Sequence, residues 1–373
     1  MIEAELHNLI KNRLDIQKKL CEILEIEGKN IEFVSEDQFP NSLMVDFTII
    51  SDGKVKALVE LKGDNIGVND FVRGTGQVYQ YQNFIDLKQS LKHYIYDEAC
   101  SVYLFPSDII SLGKFNIGLM SYPDKCKIVE YNPSNEMFRV IEKKELDILA
   151  GDRGKQVATI SQYYIRDTRL YELFIALKYI CDKEMLGMFP FDRKQMEKFL
   201  KQLDVPDKGN WRNVFISLSS LGLTDSGNRP TDKGMLLGTH TFGYFAEHCY
   251  TNYIKPYIDV LQTVLMDLNA QNVPISLDDI GHGINLKFGN QEVLFLTDSD
   301  NRYLSSWLNI MKDDFNCIDF KKNKAKRTYR TLYVMSEYNS KAIIRHVDSN
   351  AVAKLKIDDF MELFARSYMK GYF

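Results

Sequence analysis

The sequence has no apolar run of the roughly 18–20 residues that a membrane span requires, and its opening stretch, MIEAELHNLIKNRLDIQ, is amphipathic and charged where a secretory leader would be apolar. We therefore expect a chain with no membrane contact, working in the cytoplasm. Paired cysteines are missing too: Cys21, Cys100, Cys126, Cys181, Cys249 and Cys317 stand singly, with no CxxC pair and no histidine at ligand spacing. That excludes a zinc ribbon and a disulfide scaffold and leaves reduced, mostly buried thiols as the expectation. Histidine is scarce and dispersed (His7, His93, His240, His248, His282, His346), which removes a histidine-based metal centre. There is no Walker A lysine loop, no GxGxxG, no GxSxG elbow and no HExxH, so nucleotide-cradling, serine-hydrolase and zincin chemistries lose their signatures. Neither a short-period repeat nor a low-complexity segment is visible.

What is present is ordinary globular material. At 373 residues the chain suits two or three domains, each able to bury a core, and 45% hydrophobic with 26% charged residues agrees. The formal net charge of −4 counts against a protein that simply coats nucleic acid, although a local basic face can coexist with acidic surfaces elsewhere. The run Lys321-Lys322-Asn323-Lys324-Ala325-Lys326-Arg327-Thr328-Tyr329-Arg330 is such a concentration.

Residues 2–25 place apolar side chains at helical spacing and predict one opening helix. Extended segments follow at 30–35, 43–50 (LMVDFTII) and 55–61 (VKALVEL), the last two joined through Ser51-Asp52-Gly53-Lys54 as a hairpin. Residues 69–90 predict a helix weakened by Gly74 and Gly76, and further strands are expected at 101–105, 116–122 and 126–131. Past about residue 155 the pattern turns helical, with helices over 167–181, 192–203 and 210–221 before a turn-rich stretch at 222–234. Beyond it we expect helices at 253–268, 276–281 and 301–312, with extended segments on both sides of the basic run.

The chemistry concentrates in the hairpin. Cleaving a phosphodiester requires a cation to neutralise charge on the phosphate, an activated water, and groups to orient both. A hard Mg²⁺ is held by a few carboxylate and carbonyl oxygens plus water, so two acids must converge. Asp46 lies at the centre of LMVDFTII and Glu60 at the end of VKALVEL, one acid on each paired strand. Lys62 lies two positions after Glu60, and alternate strand residues face the same way, so its amine can enter the same pocket. An acid, any residue and a lysine also occur at Glu27, Asp52, Asp86, Glu142 and Asp192, but only Glu60 ends an apolar strand, has a partner acid across a hairpin and precedes a polar helix. Both acids interrupt segments that look buried, where an unpartnered charge is costly.

Asp46, Glu60-Leu61-Lys62 and Gln77-Val78-Tyr79-Gln80-Tyr81 together resemble the PD-(D/E)XK nuclease superfamily, including the Gln-xxx-Tyr helix motif of its RecB-like branch. The resemblance covers roughly residues 1–135. It implies that Asp46, Glu60 and the Leu61 carbonyl hold Mg²⁺, that Lys62 positions or activates the water, and that products carry 5′-phosphate and 3′-hydroxyl ends. It departs in one respect, since no proline precedes Asp46 (Met44-Val45-Asp46). Gln77 and Tyr81, four apart, share a helical face that would sit over the active site or the DNA backbone. Many members add a glutamate from the first helix; Glu5 is the candidate, with Glu3 close behind.

Segment 210–234 resembles the end of a winged helix, with Val214, Phe215, Leu218 and Leu221 packed inward and Asn210, Trp211, Arg212, Asn213, Ser217 and Ser220 on the outer side. There Arg and Asn can contact guanine and adenine edges, while Arg229 reaches a phosphate or the minor groove. Winged helices also dock proteins. Lys321, Lys322, Lys324, Lys326, Arg327 and Arg330 are the phosphate-binding candidates.

The resulting expectation is an α/β chain. A restriction-endonuclease-like core over 1–155, a mixed central sheet flanked by helices, precedes a mainly helical winged-helix recognition domain over 156–243. The remaining 244–373 are a second winged helix or a dimerisation or DNA-binding domain. The function expected is a type II restriction enzyme, a Mg²⁺-dependent, sequence-specific endonuclease for double-stranded DNA, dimeric when cutting and accompanied by a cognate DNA methyltransferase. The competing readings are a transposon-end or repair nuclease inside a larger complex, and a non-catalytic winged-helix DNA-binding regulator.

Overall fold

The computed structural model describes residues 1–41, 43–88, 95–113, 116–154, 165, 168–188, 193–202, 211–269, 273–288 and 301–369. The chain forms two compact units, Met1–Gln162 with Ser219–Asn228, and Tyr163–Leu218 with Arg229–Phe373. The two segments expected as separate domains, 156–243 and 244–373, thus fall largely within one unit.

The first unit opens with two helices, not one: α1 (Glu3–Asn12) and α2 (Leu14–Leu24). Arg13 is extended between them at φ −118° and ψ 107°, and its guanidinium reaches Glu136 at 2.9 Å, 123 residues away. The freed end of α1 is satisfied by Gln17, whose amide donates to the Ile10 carbonyl at 2.9 Å. Strands β1 (Ile31–Gln38), β2 (Met44–Ser51) and β3 (Lys54–Leu61) run antiparallel. Asp52 and Gly53, both at positive φ (49° and 79°), make the tight β2–β3 turn, where right-handed strand twist favours left-handed turn residues.

Helix α3 (Val68–Asp86) is the crossover to β4 (Ile95–Pro106), which pairs parallel to β3. After the short α4 (Asp108–Ser111) come β5 (Lys127–Asn132), parallel to β4, β6 (Met137–Ile141), antiparallel to β5, and α5 (Lys143–Gly154). The sheet is mixed and six-stranded in the order β1-β2-β3-β4-β5-β6. The strand expected at 116–122 is instead a single 3₁₀ turn, Ile117–Leu119. Asn116 explains the difference, because its side chain accepts from the Gly118 N–H at 3.0 Å and donates to the Leu149 carbonyl at 2.6 Å, a local alternative to a ladder.

Apolar side chains leave the sheet on both faces. Phe47, Ile49, Ala57, Val59 and Leu61 pack with Leu6, Ile10, Ile16 and Leu20 of α1 and α2. Val45, Ile50, Val55 and Leu58 pack with Tyr81, Phe84 and Ile85 of α3. Burial on both sides is why β2 and β3 read as nearly unbroken apolar runs, and each of the large side chains contributes about 1.5–3 kcal/mol of transfer free energy. An acid in such a strand has little solvent to escape to.

The second unit is largely helical, with α6 (Leu170–Met185), α7 (Arg193–Leu200), the first part of α8 (Trp211–Ser220), α9 (Asp232–Thr239), α10 (Phe242–Cys249) and, after a π turn, α11 (Lys255–Asn269). Then follow β7 (Ile275–Ser276), α12 (Leu277–Phe288), α13 (Arg302–Asp313), the hairpin β8 (Ile318–Asn323) and β9 (Lys326–Thr331), α14 (Ser340–Asp348) and α15 (Ala351–Met369). The three strands form an antiparallel sheet in the order β7-β9-β8. The small hairpin expected over 222–234 is reduced to single bridge residues at Thr224 and Pro230 on either side of a turn. Thr231-Asp232-Lys233-Gly234 opens α9, with the Thr231 hydroxyl accepting from the Gly234 N–H at 3.0 Å as an N-cap. Among the described residues no helix is long and apolar enough to cross a membrane.

Candidate active site

The site is built at the mouth of the β2–β3 hairpin. The antiparallel ladder pairs Phe47 with Val59, and one position further along each strand lie Asp46 and Glu60. Asp46 is half-buried, and its Oδ2 accepts from the Leu61 N–H at 2.7 Å. Glu60 is only 2% exposed: its Oε1 accepts from the Lys62 ammonium at 2.6 Å and its Oε2 from the Tyr81 hydroxyl at 2.6 Å. Lys62, 7% exposed, also donates to the Leu61 carbonyl at 2.8 Å, while its backbone N–H bonds the Leu104 carbonyl at 2.9 Å and so continues the β3–β4 pairing. The sequence-predicted triad of Asp46, Glu60 and Lys62 is thus brought together with the Leu61 carbonyl in one cluster.

Helix α3 forms one wall. Tyr81 is fully buried and Gln77, one turn earlier, hydrogen-bonds to it, so the pair expected on one face acts together, with Tyr81 touching Glu60 and Gln77 holding Tyr81. Gly74 sits a further turn back, where a Cβ would lie 2.8 Å from Lys62 Cε and clash with the Tyr103 hydroxyl. The glycine that weakens the helix in the sequence is what lets α3 approach the lysine stem.

The first helix brings an acid to the cluster, the second of its two candidates. Glu5 Oε2 accepts from the Ile2 N–H at 2.9 Å, so its carboxylate closes the exposed N-terminus of α1. Glu3 lies with its Oε2 3.7 Å from the Lys62 ammonium. The signal for Glu3 was available: it falls on the stripe of Leu6 and Ile10, the buried side chains of α1.

The electrostatics follow from burial. Desolvation pushes the Glu60 carboxyl up to about 7 against the pull of Lys62, and that of Asp46 up to about 6 against the Leu61 N–H and Lys62. Burial pulls the Lys62 ammonium down, but Glu60, Glu3 and Asp46 outweigh it and hold its pKa above the ordinary lysine value. Tyr81 is raised well above the usual phenol range by burial and by Glu60, so it remains a donor. Two desolvated carboxylates and the more exposed Glu3 therefore surround one amine.

The oxygen set suits a hard divalent cation. Two carboxylates and one backbone carbonyl are the small protein share that Mg²⁺ takes, with water completing its shell. Among the described residues no three His, Cys, Asp or Glu side chains converge closely enough to hold a metal by themselves, so the carbonyl and water are part of the fit. The Lys62 ammonium bonds both Glu60 Oε1 and the Leu61 carbonyl, showing that these oxygens already converge on a positive charge.

The expected recognition residues are placed differently. Asn210 lies outside the described residues. Trp211 and Ser217, expected on the outer side of α8, are buried at 2% and 0%, and Ser220 at 4%. Trp211 shares the 211, 214, 215, 218 stripe with Val214, Phe215 and Leu218, so the helical phase itself puts it in the core. Arg212 is exposed and Asn213 half-buried, while Arg229 pairs with Glu184 at 3.2 Å. Lys321, Lys322, Lys324, Lys326 and Arg330 are exposed on the β8–β9 hairpin, whereas Arg327 is turned inward. Compared with protein-family models, with curated proteins and with solved structures, the chain matches none.

Proposed function

We propose that the first unit is a metal-dependent phosphodiester-cleaving centre of the PD-(D/E)XK type, and that the chain is a Mg²⁺-dependent endonuclease acting on double-stranded DNA. The observation that carries this reading is the cluster around Lys62, in which the buried Glu60, the half-buried Asp46 and the more exposed Glu3 outnumber the single amine beside them. Such an arrangement is electrostatically incomplete without a further cation. The mixed sheet with α3 as crossover fits the same reading, and the winged-helix assignment of residues 156–243 belongs to the proposal as well.

Asp46, Glu60 and the Leu61 carbonyl are the groups that would hold the metal, which when bound supplies a positive charge for the phosphate and lowers the pKa of water. Lys62, fixed by its contact with Glu60 and by the close approach of Gly74, presents an ammonium next to the attacking position and orients the nucleophilic water. Tyr81 holds the Oε2 of Glu60, leaving Oε1 to meet Lys62. Glu3, 3.7 Å from the same ammonium, helps to steer it. Products would be 5′-phosphate and 3′-hydroxyl ends. Two copies of the chain would cut both strands, and a companion methyltransferase would protect the host's own sites.

The test is digestion of methylated and unmethylated supercoiled plasmid by the purified chain with and without Mg²⁺, with the ends mapped, beside Lys62→Ala. Discrete fragments from the wild type, and a loss of several orders of magnitude in the variant without loss of DNA binding, are expected. A protein that binds DNA and never cuts it would leave a regulator, and one that cuts equally well without Lys62 would remove that residue from the mechanism.

A further inference from the structure

The segment from α13 to β9 carries a charge pattern unlike the rest of the chain. Between residues 321 and 330 there are six cations and no acid, on a protein whose formal net charge is −4. The ladder sorts them. Phe320 faces Tyr329 on one side of the ribbon, their rings 5.5 Å apart, and both are buried. Lys321, opposite Thr328, and Lys326, opposite Asn323, fall on the other side, with Lys324 at the turn at φ 54°, while Lys322, opposite Arg327 on the Phe320 side, is exposed near the tip. No acid lies within ion-pairing distance of Lys321, Lys322, Lys324, Lys326 or Arg330 among the described residues. Six like charges within ten residues are held together against their own repulsion.

Arg327 is the exception and explains how the ribbon is held. It is 9% exposed, stacks 5.0 Å from the Phe320 ring and donates to the Ser305 hydroxyl of α13 at 3.0 Å. From the same helix Lys312 lies 4.7 Å from the Phe320 ring and donates to Asp319 at 2.6 Å. Helix and ribbon are therefore fastened along one stripe of α13, and the ribbon is positioned as part of the folded unit. The next stripe round the helix carries Arg302, Ser306 and Asn309, three polar side chains open or partly open to solvent. Tyr303, Leu304, Trp307 and Leu308 are buried on the opposite side.

We propose that α13 and the β8–β9 ribbon form a surface that reads duplex DNA, with Arg302, Ser306 and Asn309 at base edges and Lys321, Lys322, Lys324 and Lys326 on the flanking phosphates. This deepens the reading above, because it rests on DNA being the substrate, and it moves sequence reading away from the expected 210–221 helix. A helix about 10–12 Å across matches the B-DNA major groove, where Arg recognises guanine and Asn recognises adenine. The deep, narrow major groove of duplex RNA does not admit it. A bilayer is a poor partner, because between residues 321 and 330 the outward positions hold no large apolar side chain. Arg327 is assigned to holding the ribbon on α13, not to a phosphate.

The experiment measures binding of the full chain to a random pool of about 30-bp duplexes in EDTA, so that cutting plays no part, over a series of salt concentrations. The wild type should bind with a steep salt slope, and the quadruple variant Lys321→Ala/Lys322→Ala/Lys324→Ala/Lys326→Ala should bind at least about tenfold more weakly, with a slope shallower by about 2–4. Asn309→Ala should keep the slope and flatten the sequence preference of the bound pool. Unchanged affinity and slope in a folded quadruple variant overturns the proposal. So does tighter binding of the wild type to single-stranded RNA or to phosphatidylserine vesicles than to duplex DNA, or no duplex binding at all. A chain that binds this way but never cuts with Mg²⁺ removes the nuclease reading and leaves this surface standing; a chain that cuts while the quadruple variant binds normally does the reverse.

Discussion

Replacing the buried pair by neutral groups of similar shape, Glu60→Gln with Lys62→Met, is predicted to make the protein more stable and catalytically dead. Glu60 is 2% exposed, and burial takes its carboxyl from 4.5 to about 7 even with the Lys62 ammonium 2.6 Å away. Holding it ionised at about pH 8 therefore costs about 3 kcal/mol, at about 1.4 kcal/mol per pH unit. Lys62→Met alone withdraws the compensating charge and is expected to destabilise by about 3–5 kcal/mol. The double variant lifts the desolvation of both groups, and a gain of about 1–3 kcal/mol over wild type is expected in EDTA. Urea unfolding at about pH 8 without metal reads this directly, with an unchanged m-value as the sign that the unfolding reaction is the same. If the double variant were as unstable as Lys62→Met, burial would not be what raises Glu60, and the electrostatic account of the site would fail.

Four further outcomes follow from the same geometry. Gly74→Ala should push the Lys62 stem aside, costing about 1–3 kcal/mol of stability and most of the cleavage rate, in parallel melts and plasmid assays. Glu3→Gln should alter cleavage and its metal dependence, whereas Glu5→Ala should cost about 0.5–1 kcal/mol through the lost cap and leave cleavage near wild type; the reverse order would put Glu5 back in the site. Because Asp46 and Glu60 are raised to about 6 and about 7 when folded, the metal-free native state holds more protons than the unfolded chain across roughly pH 4–7. Its stability should therefore fall as pH rises through that window, and urea midpoints that rise instead would contradict the assignment. Asp314, which accepts from the Tyr171 N–H at 2.9 Å at the start of α6, should cost about 1–3 kcal/mol when changed to Ala, and a neutral result in thermal melts would show that α6 is capped by other means.

The parts of the molecule legible in the sequence are those specified locally. The β2–β3 hairpin follows from apolar runs on both sides of Asp52-Gly53, and with it the placement of Asp46, Glu60 and Lys62, since strand alternation determines where they point. Helix α3 and the Gln77–Tyr81 pair follow from a spacing of four. What escaped depends on distant partners or on phase. At the break Arg13 pairs with the distant Glu136 as well as with Asp15, and the turn at 117–119 is held by Asn116 reaching Leu149; neither Glu136 nor Leu149 falls in a local window. Helices α14 and α15 follow the basic run where extended structure was expected, because Lys321–Arg330 is itself the ribbon and the chain resumes helix after it. Glu3 and Trp211 are a different matter, since each lies on the buried stripe of its own helix and the periodicity already distinguished it from its neighbours.

The account turns on whether a divalent cation binds among Asp46, Glu60 and the Leu61 carbonyl. Calorimetric titration of the DNA-free chain with Mn²⁺ and Mg²⁺ at about pH 8 asks this without requiring catalysis. One saturable site in the wild type, lost in Asp46→Asn and in Glu60→Gln with the fold intact, is the predicted result. Equal binding by all three proteins, or none by the wild type at millimolar metal, would contradict it.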